Sequence, residues 1–175
     1  MKNTIKLILV IAGVSVATLC FAQPEKNINK EKIKQLSFML GEWSGGGWMM
    51  NQDRTRSEFT QTEKIEMELN GAVLVIHGQG WDTDSKPIHN ALGIISYDTK
   101  EEKYSMLAML ENGQQTNAEL VLVSENEIKW WFAVPGGTIK YQLIFEGDIW
   151  TEKGEFSPDG NAWYPFIEFT LTKKQ

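Results

Sequence analysis

The 175-residue sequence has a single cysteine, Cys20, and it lies inside an uncharged run over residues 7–22. The run follows a short basic start and is shorter than the roughly 20 residues that a membrane span requires. Small residues at its end predict an export signal that is cut before Gln23. The mature chain, residues 23–175, would then have no disulfide, no thiol nucleophile and no thiolate metal ligand.

Two other interpretations of the first 22 residues stay open, an uncleaved N-terminal anchor and a lipid anchor on Cys20. Leu19 precedes this cysteine, where lipoprotein signals usually carry a small residue, and this disfavours the lipid anchor. We therefore expect a periplasmic or secreted protein that keeps no membrane span once its signal has been removed.

Clusters of basic residues are also missing. Without the two lysines of the signal, fifteen Lys and Arg face 23 acidic residues, which gives residues 23–175 a net charge of −8. Proteins that bind nucleic acid need a basic patch to neutralise phosphates, and Lys173-Lys174 is the one adjacent basic pair of the mature chain. The charge disfavours nucleic acid and anionic membrane surfaces as partners.

Histidine is scarce, because the chain has only His77 and His89. A zinc site requires three or four ligands, and these two histidines would reach three only if Glu63 faced the same cavity. Strand alternation places His77 on the face of Val73 and Val75. Histidines that hydrogen bond within the wall or a loop are the favoured interpretation, so we expect no metal and no cofactor.

Anion-binding and nucleophile motifs are missing as well. The run Gly45-Gly46-Gly47 lies inside a predicted strand and has no helix after it, so it does not form a phosphate-binding loop. Glycines inside a strand indicate a bulge or a sharp bend. No serine lies in a tight turn between a strand and a helix.

The mature chain begins with a helical pattern. Ile28, Ile33, Leu36 and Leu40 approximate one stripe, which predicts a short amphipathic helix from about Asn29 to Met39. After Leu40 the period changes, and no second sustained helical pattern follows.

Ten short segments with strand character fill the rest of the chain. We predict strands over Glu42–Asn51, Ser57–Leu69, Ala72–Asp82, Ile88–Tyr97, Lys103–Glu111, Thr116–Ser124, Glu127–Val134, Thr138–Glu146, Ile149–Phe156 and Ala162–Thr172. Turn residues separate them, and Asn70-Gly71 and Asn112-Gly113 predict two-residue hairpins with positive φ. Such short loops force consecutive strands to pair antiparallel, which predicts a meander.

Several strands alternate between an apolar and a polar face. One face of the second strand carries Phe59, Gln61, Glu63, Ile65, Met67 and Leu69, whereas Thr60, Thr62, Lys64, Glu66 and Glu68 share the other. One buried and one wet face predict an all-β, closed antiparallel barrel, since closure removes exposed strand edges. A two-sheet sandwich is the alternative, but its long crossovers are missing.

Several stretches carry a family resemblance: Phe38-Met39-Leu40-Gly41-Glu42-Trp43, Phe59-Thr60-Gln61-Thr62-Glu63, His89-Asn90-Ala91-Leu92-Gly93-Ile94-Ile95-Ser96-Tyr97-Asp98 and Gly154-Glu155-Phe156-Ser157-Pro158-Asp159-Gly160. With Gly-x-Trp at the start of the first strand, the chain resembles the calycin superfamily of lipocalins and fatty-acid-binding proteins. The fuller pattern resembles DUF1579, a lipocalin-like bacterial family of unknown function. The resemblance implies a barrel with a cavity, closed by Trp43 beneath Lys173 or Lys174.

A more distant similarity links Pro87-Ile88-His89 and Gly93 to the haem-binding barrels called nitrobindins. That family holds the haem iron with a histidine near the C-terminal strand, and residues 167–170 contain none. A haem needs an axial ligand, for which only His89 or a methionine would serve here, so the sequence disfavours haem.

Two sets of acidic and polar residues are candidates for chemistry. Alternation points Gln61 and Glu63 into the barrel, where a carboxylate must find a partner or raise its pKa. Tyr141 and the histidines are candidate partners, and the group would either anchor a ligand or fix strand register. We interpret the second set, Glu152, Glu155 and Glu168, as solvated strand faces, with Glu152 and Glu155 on opposite faces.

The sequence thus supports three hypotheses. The first is an exported protein that binds a small apolar or amphipathic ligand through Trp48, Gln61, Glu63, His77 and Tyr141, with His89 near the rim. The second is an enzyme with a Glu63–His77 or Glu63–His89 pair for proton transfer. The third is a solid barrel with an interaction role. A homodimer stays open in each case.

Overall fold

The computed structural model describes residues 27–175, so the predicted signal and its cleavage site lie outside the described residues. A helix α1, a 3-10 turn and ten strands follow each other along the chain. Their bounds are α1 Ile28–Lys34, the 3-10 turn Ser37–Met39, β1 Gly41–Met50, β2 Arg56–Glu68, β3 Val73–Asp82, β4 Pro87–Asp98, β5 Lys103–Leu110, β6 Gln115–Ser124, β7 Glu127–Val134, β8 Gly137–Glu146, β9 Ile149–Ser157 and β10 Tyr164–Lys173.

The ten strands form one closed antiparallel barrel. Each strand pairs with its neighbours in sequence, and β1 pairs with β10 to close the ring. The predicted all-β meander is confirmed, with strand bounds within a few residues of those expected. The sandwich alternative is wrong, because closure leaves a single continuous sheet.

The N-terminal segment closes one end of the barrel. The predicted helix over 29–39 is instead a seven-residue α1 followed by the separate 3-10 turn. The predicted stripe is confirmed only in part, since Ile33 and Leu36 are fully buried with Met39, whereas Ile28 is 52% exposed. The Tyr104 hydroxyl donates to the Lys32 carbonyl oxygen at 2.8 Å, which ties α1 to the start of β5.

Trp43 fills the barrel interior above this segment. Its side chain is fully buried, and its indole N–H donates to the Met39 carbonyl oxygen at 2.9 Å. The ring packs edge-on against Phe145 and Trp150, with centroids 5.4 and 5.9 Å away. Of the two lysines proposed to cover it, Lys173 places its ammonium 5.1 Å from the ring centroid.

The glycine run of β1 allows close approach and does not form a bulge. Both ladders of β1 run without a register shift from Trp43 to Met49. A Cβ added at Gly45 or Gly47 would lie 2.1 or 2.0 Å from a carbonyl oxygen of β10. The expected bulge is therefore wrong, and the glycines instead let β1 lie close to its neighbours.

The hairpin turns differ slightly from those predicted. At the β2–β3 turn, Leu69, Asn70 and Gly71 all have positive φ, so the left-handed stretch is longer than two residues. At the β5–β6 turn only Gly113 is left-handed, with φ of 86°, and four residues separate the strands. Within residues 27–175, no helix is both long and apolar enough to cross a membrane.

Candidate functional site

The barrel is hollow between Trp43 and the end opposite α1. Its cavity has a volume of about 460 Å³ and reaches the rim at Ile88 and Gln114, both of which are exposed. Apolar and aromatic side chains form most of the wall. The hypothesis of a solid barrel is therefore wrong.

Gln61 and Glu63 lie side by side in the wall of this cavity, as alternation along β2 predicts. Both are buried, and the Gln61 amide donates to Glu63 Oε1 at 2.5 Å. Glu63 Oε2 makes no hydrogen bond. Burial raises the pKa of Glu63 to about 7, and the bond from Gln61 opposes this rise only partly.

Glu152 on β9 is a second buried carboxyl in the same cavity, which corrects the prediction that it lies on a solvated face. Burial and then the charge of Glu63 hold its pKa well above the usual range. Its interaction with the Trp150 indole lowers that pKa somewhat, although the indole N–H makes no hydrogen bond of normal geometry. Two like-charged groups in one apolar cavity cannot readily ionise together.

The sequence contains a signal for the position of Glu152. Alternation along β9 puts Glu152 on the face of Trp150, Gly154 and Phe156, whereas Lys153 and Glu155 share the other face. Glu155 forms ion pairs with Lys140 and Lys153 on the outer surface. The predicted opposite orientation of Glu152 and Glu155 is confirmed, and Glu168 is exposed as expected.

Tyr141 on β8 completes the polar group of the cavity. Its ring stacks on Trp130 with a centroid distance of 4.0 Å and an interplanar angle of 11°. Burial and the charge of Glu152 both raise the pKa of its hydroxyl, which stays protonated and able to donate. Trp130 lines the same cavity beside it.

His89 lies in the cavity wall towards the rim, as expected. Burial lowers its pKa, and the carboxylate of Glu111 partly offsets that effect. The imidazole is therefore largely neutral near pH 7.

Trp48 and His77 lie on the outer surface, so their expected interior positions are corrected. Trp48 on β1 lies opposite Glu58 of β2 and Glu168 of β10. The Arg56 guanidinium covers its ring, 3.6 Å from the ring centroid. His77 shares the face of Val73 and Val75, but that face points outward and His77 is exposed. The structure thus brings four of the six candidates, Gln61, Glu63, His89 and Tyr141, into one cavity.

Gly78 gives the Glu63 carboxyl its position. A Cβ at Gly78 would lie 2.6 and 2.9 Å from the two carboxyl oxygens. We expect Gly78→Ala to displace the Glu63 side chain and to destabilise the protein by about 1–3 kcal/mol. Urea unfolding measures this, with Gly93→Ala as the control because its Cβ would lie 3.4 Å from the nearest atom. Equal losses for both variants would contradict the tight fit at Gly78.

Within the part of the chain that the structure describes, no three His, Cys, Asp or Glu residues are grouped so that they could hold a metal ion. The proposed trio of His77, His89 and Glu63 is divided between the two sides of the barrel wall. These side chains therefore do not form the zinc site considered above.

The closed meander and its cavity define a hollow antiparallel β-barrel of lipocalin-like type. Solved structures with the same fold include the following two. The crystal structure of Rv2717c from M. tuberculosis is 13% identical and has a TM-score of 0.61, covering 82% of this chain and 97% of its own. The S-type phycobiliprotein lyase CPES from Guillardia theta is 8% identical with a TM-score of 0.58, covering 85% of this chain and 94% of its own.

At sequence identities of 13% and 8%, the similarity to these two structures establishes the barrel fold but not the function of the cavity. No protein-family model matches the chain, and no curated protein matches it. The function must therefore be argued from the cavity itself.

Proposed function

We propose that this protein binds a small, largely apolar molecule with one polar end inside its barrel. The observation that carries the proposal is the cavity of about 460 Å³, whose apolar wall is interrupted by the deep polar group Gln61, Glu63, Glu152 and Tyr141. Ligand pockets of about 300–1,000 Å³ typically combine an apolar lining with a few convergent polar groups. The exposed rim at Ile88 and Gln114 gives a route of entry.

The location and family of the protein remain part of this proposal. We propose that it is exported and that it belongs to DUF1579, on the strength of the N-terminal pattern and of the sequence stretches given above. A barrel of this kind in the periplasm or outside the cell would take up or carry its ligand there.

Binding is favoured over acid–base catalysis by the orientation of the histidines. His77 lies outside the barrel, which removes the Glu63–His77 pair. Glu63 and His89 both line the cavity, but Glu63 accepts its hydrogen bond from Gln61 and its other oxygen makes none. The hydrogen bonds of Glu63 therefore do not include the Glu63–His89 pair that the second hypothesis requires.

Filling part of the cavity should weaken binding. Ala108 on β5 lines the cavity, whereas Ala133 on β7 is exposed on the outer face. We expect the neutral dye N-phenyl-1-naphthylamine to bind the wild type with a rise in fluorescence. Ala108→Phe should weaken that binding by about tenfold or more, because the ring occupies ligand space. Ala133→Phe should leave the affinity unchanged.

Native mass spectrometry of the purified protein, compared with the same sample after denaturation, would also identify any ligand retained from the cell. No dye binding together with a clean apo mass would contradict the proposed function. Equal affinities for the two phenylalanine variants would place the bound dye outside the cavity.

A further inference from the structure

We propose that the polar end of the ligand is a cationic amine, bound as its ammonium between Glu63 and Glu152. The inference rests on the proposed function and specifies which chemical class of ligand the cavity takes. It is carried by two buried carboxyls that face one apolar cavity without a positive partner from the protein.

The two carboxyls come from separate parts of the barrel wall. Glu63 on β2 and Glu152 on β9 are only 7 and 8% exposed. Gln61 occupies one oxygen of Glu63, and the other has no hydrogen-bond partner. An unpaired polar atom buried in an apolar wall is costly unless a ligand satisfies it.

The protein supplies no cation to balance these carboxyls. Neither lysine nor arginine lines the cavity among the described residues, and its one basic side chain is His89 at the rim. Burial keeps that imidazole largely neutral. Lys173, the cation nearest Trp43, is stacked over that ring at the closed end.

An ammonium satisfies this arrangement better than the other polar ends of an amphipathic molecule. It carries three N–H donors and the missing positive charge, and a charged hydrogen bond is stronger than a neutral one. A carboxylate would bring a further negative charge and no N–H donor, so it is disfavoured as soon as either member of the pair is ionised. A hydroxyl would satisfy one oxygen but could not compensate the charge of an ionised carboxylate.

The rest of the cavity fits the apolar part of such an amine. The stacked rings of Tyr141 and Trp130 lie against the same cavity as Glu152. Aromatic faces attract cations as well as apolar chains, so they guide the ammonium without competing for its hydrogen bonds. The Tyr141 hydroxyl remains protonated and does not add a further negative charge.

Binding of the ammonium should displace a proton. The empty pair retains protons near pH 7 because burial raises both pKa values. When the ammonium enters as a cation, a carboxyl proton leaves to the buffer and the carboxylate pairs with the ligand. Amine affinity should therefore rise with pH until the pair is ionised.

Three ten-carbon probes of equal length test the inference: decylamine, decan-1-ol and decanoate. Each would displace N-phenyl-1-naphthylamine from the cavity at pH 7.5, below the concentration at which the probe forms micelles. We expect decylamine to bind about tenfold more tightly than decanol, and decanoate to bind most weakly. Calorimetry in two buffers of different ionisation enthalpy should show proton release for decylamine alone.

Variants locate this preference in the carboxyl pair. Glu63→Gln and Glu152→Gln should each reduce the preference for decylamine over decanol to less than about threefold, and each should reduce proton release. Glu155→Gln, on the outer face of the same strand as Glu152, should change neither.

Decanoate binding as tightly as decylamine, or an amine preference that survives both substitutions, would overturn the inference. If the dye and decanol bind inside the barrel while decylamine shows no preference, the inference fails and the proposed function stands. If neither the dye nor any of the three probes binds, both fail.

Discussion

Replacing Trp43 by alanine is expected to destabilise the protein by about 3–5 kcal/mol, a large part of the stability of a single domain. The indole is fully buried and contacts Phe145 and Trp150 edge-on. Its removal leaves a void at the closed end and deprives the Met39 carbonyl oxygen of its donor. Both effects add to the lost apolar contact, because the barrel wall cannot collapse around the gap.

Urea unfolding at equilibrium measures the effect of Trp43→Ala, followed by circular dichroism because the variant loses a fluorophore. Trp48→Ala is the matched control on the same strand, since that ring lies on the outer face beneath Arg56. Its loss should cost about 1 kcal/mol or less. A loss below about 1 kcal/mol for Trp43→Ala would show that Trp43 does not close the barrel.

The second large effect is a loss of stability as the pH rises. In the unfolded chain Glu63 has its ordinary pKa of 4.5, whereas in the folded protein burial raises it to about 7. Between these values the folded state binds more protons, so the free energy of unfolding falls with increasing pH. The contribution is complete below pH 4.5 and is lost through pH 7, by about 3 kcal/mol for Glu63 alone.

Other groups act on this profile in known directions. The raised pKa of Glu152 also lowers stability as the pH rises, and it extends that loss to higher pH. His89 has the opposite effect on stability, because its lowered pKa makes the folded state bind fewer protons than the unfolded chain. Surface acids with a lowered pKa, such as Asp98 and Glu155, stabilise the folded state when ionised, and this contribution is lost only in more acidic solution. Maximum stability is therefore expected at about pH 5.

Glu63→Gln should flatten the profile. We expect it to match the wild type at pH 5 and to be more stable by roughly 2–3 kcal/mol at pH 8, since the amide needs no proton to remain neutral. Urea unfolding between pH 5 and pH 8 provides the comparison, and Glu155→Gln should retain the wild-type slope. Parallel profiles for Glu63→Gln and the wild type would show that Glu63 ionises freely in the folded state.

The fold was largely predictable, because its determinants are local. Turn residues such as Asn70-Gly71 set the strand boundaries, and short loops require antiparallel neighbours. The prediction of one helix over 29–39 was less accurate, because the segment forms α1 and a separate 3-10 turn at the closed end of the barrel. The bulge expected at the glycines of β1 was wrong because Gly45 and Gly47 make their close contacts with β10, more than 120 residues away in sequence.

The site was predictable only in part. Alternation grouped Gln61 and Glu63 with Phe59, whose apolar ring marks the inner face. The same rule grouped His77 with Val73 and Val75, but these apolar residues lie on the outer face. Where both faces of a strand carry apolar residues, period two cannot tell which face is buried.

The sequence by itself determined the all-β class, the strand order and the scarcity of basic, histidine and cysteine side chains over residues 23–175. Only the tertiary structure decided that the barrel is hollow and that Glu63 and Glu152 share its cavity. The reason is geometric. Periodicity determines which residues of one strand share a face. Whether side chains of β2 and β9, which are not paired strands, reach one cavity depends on ring closure and on the volume left by all ten strands.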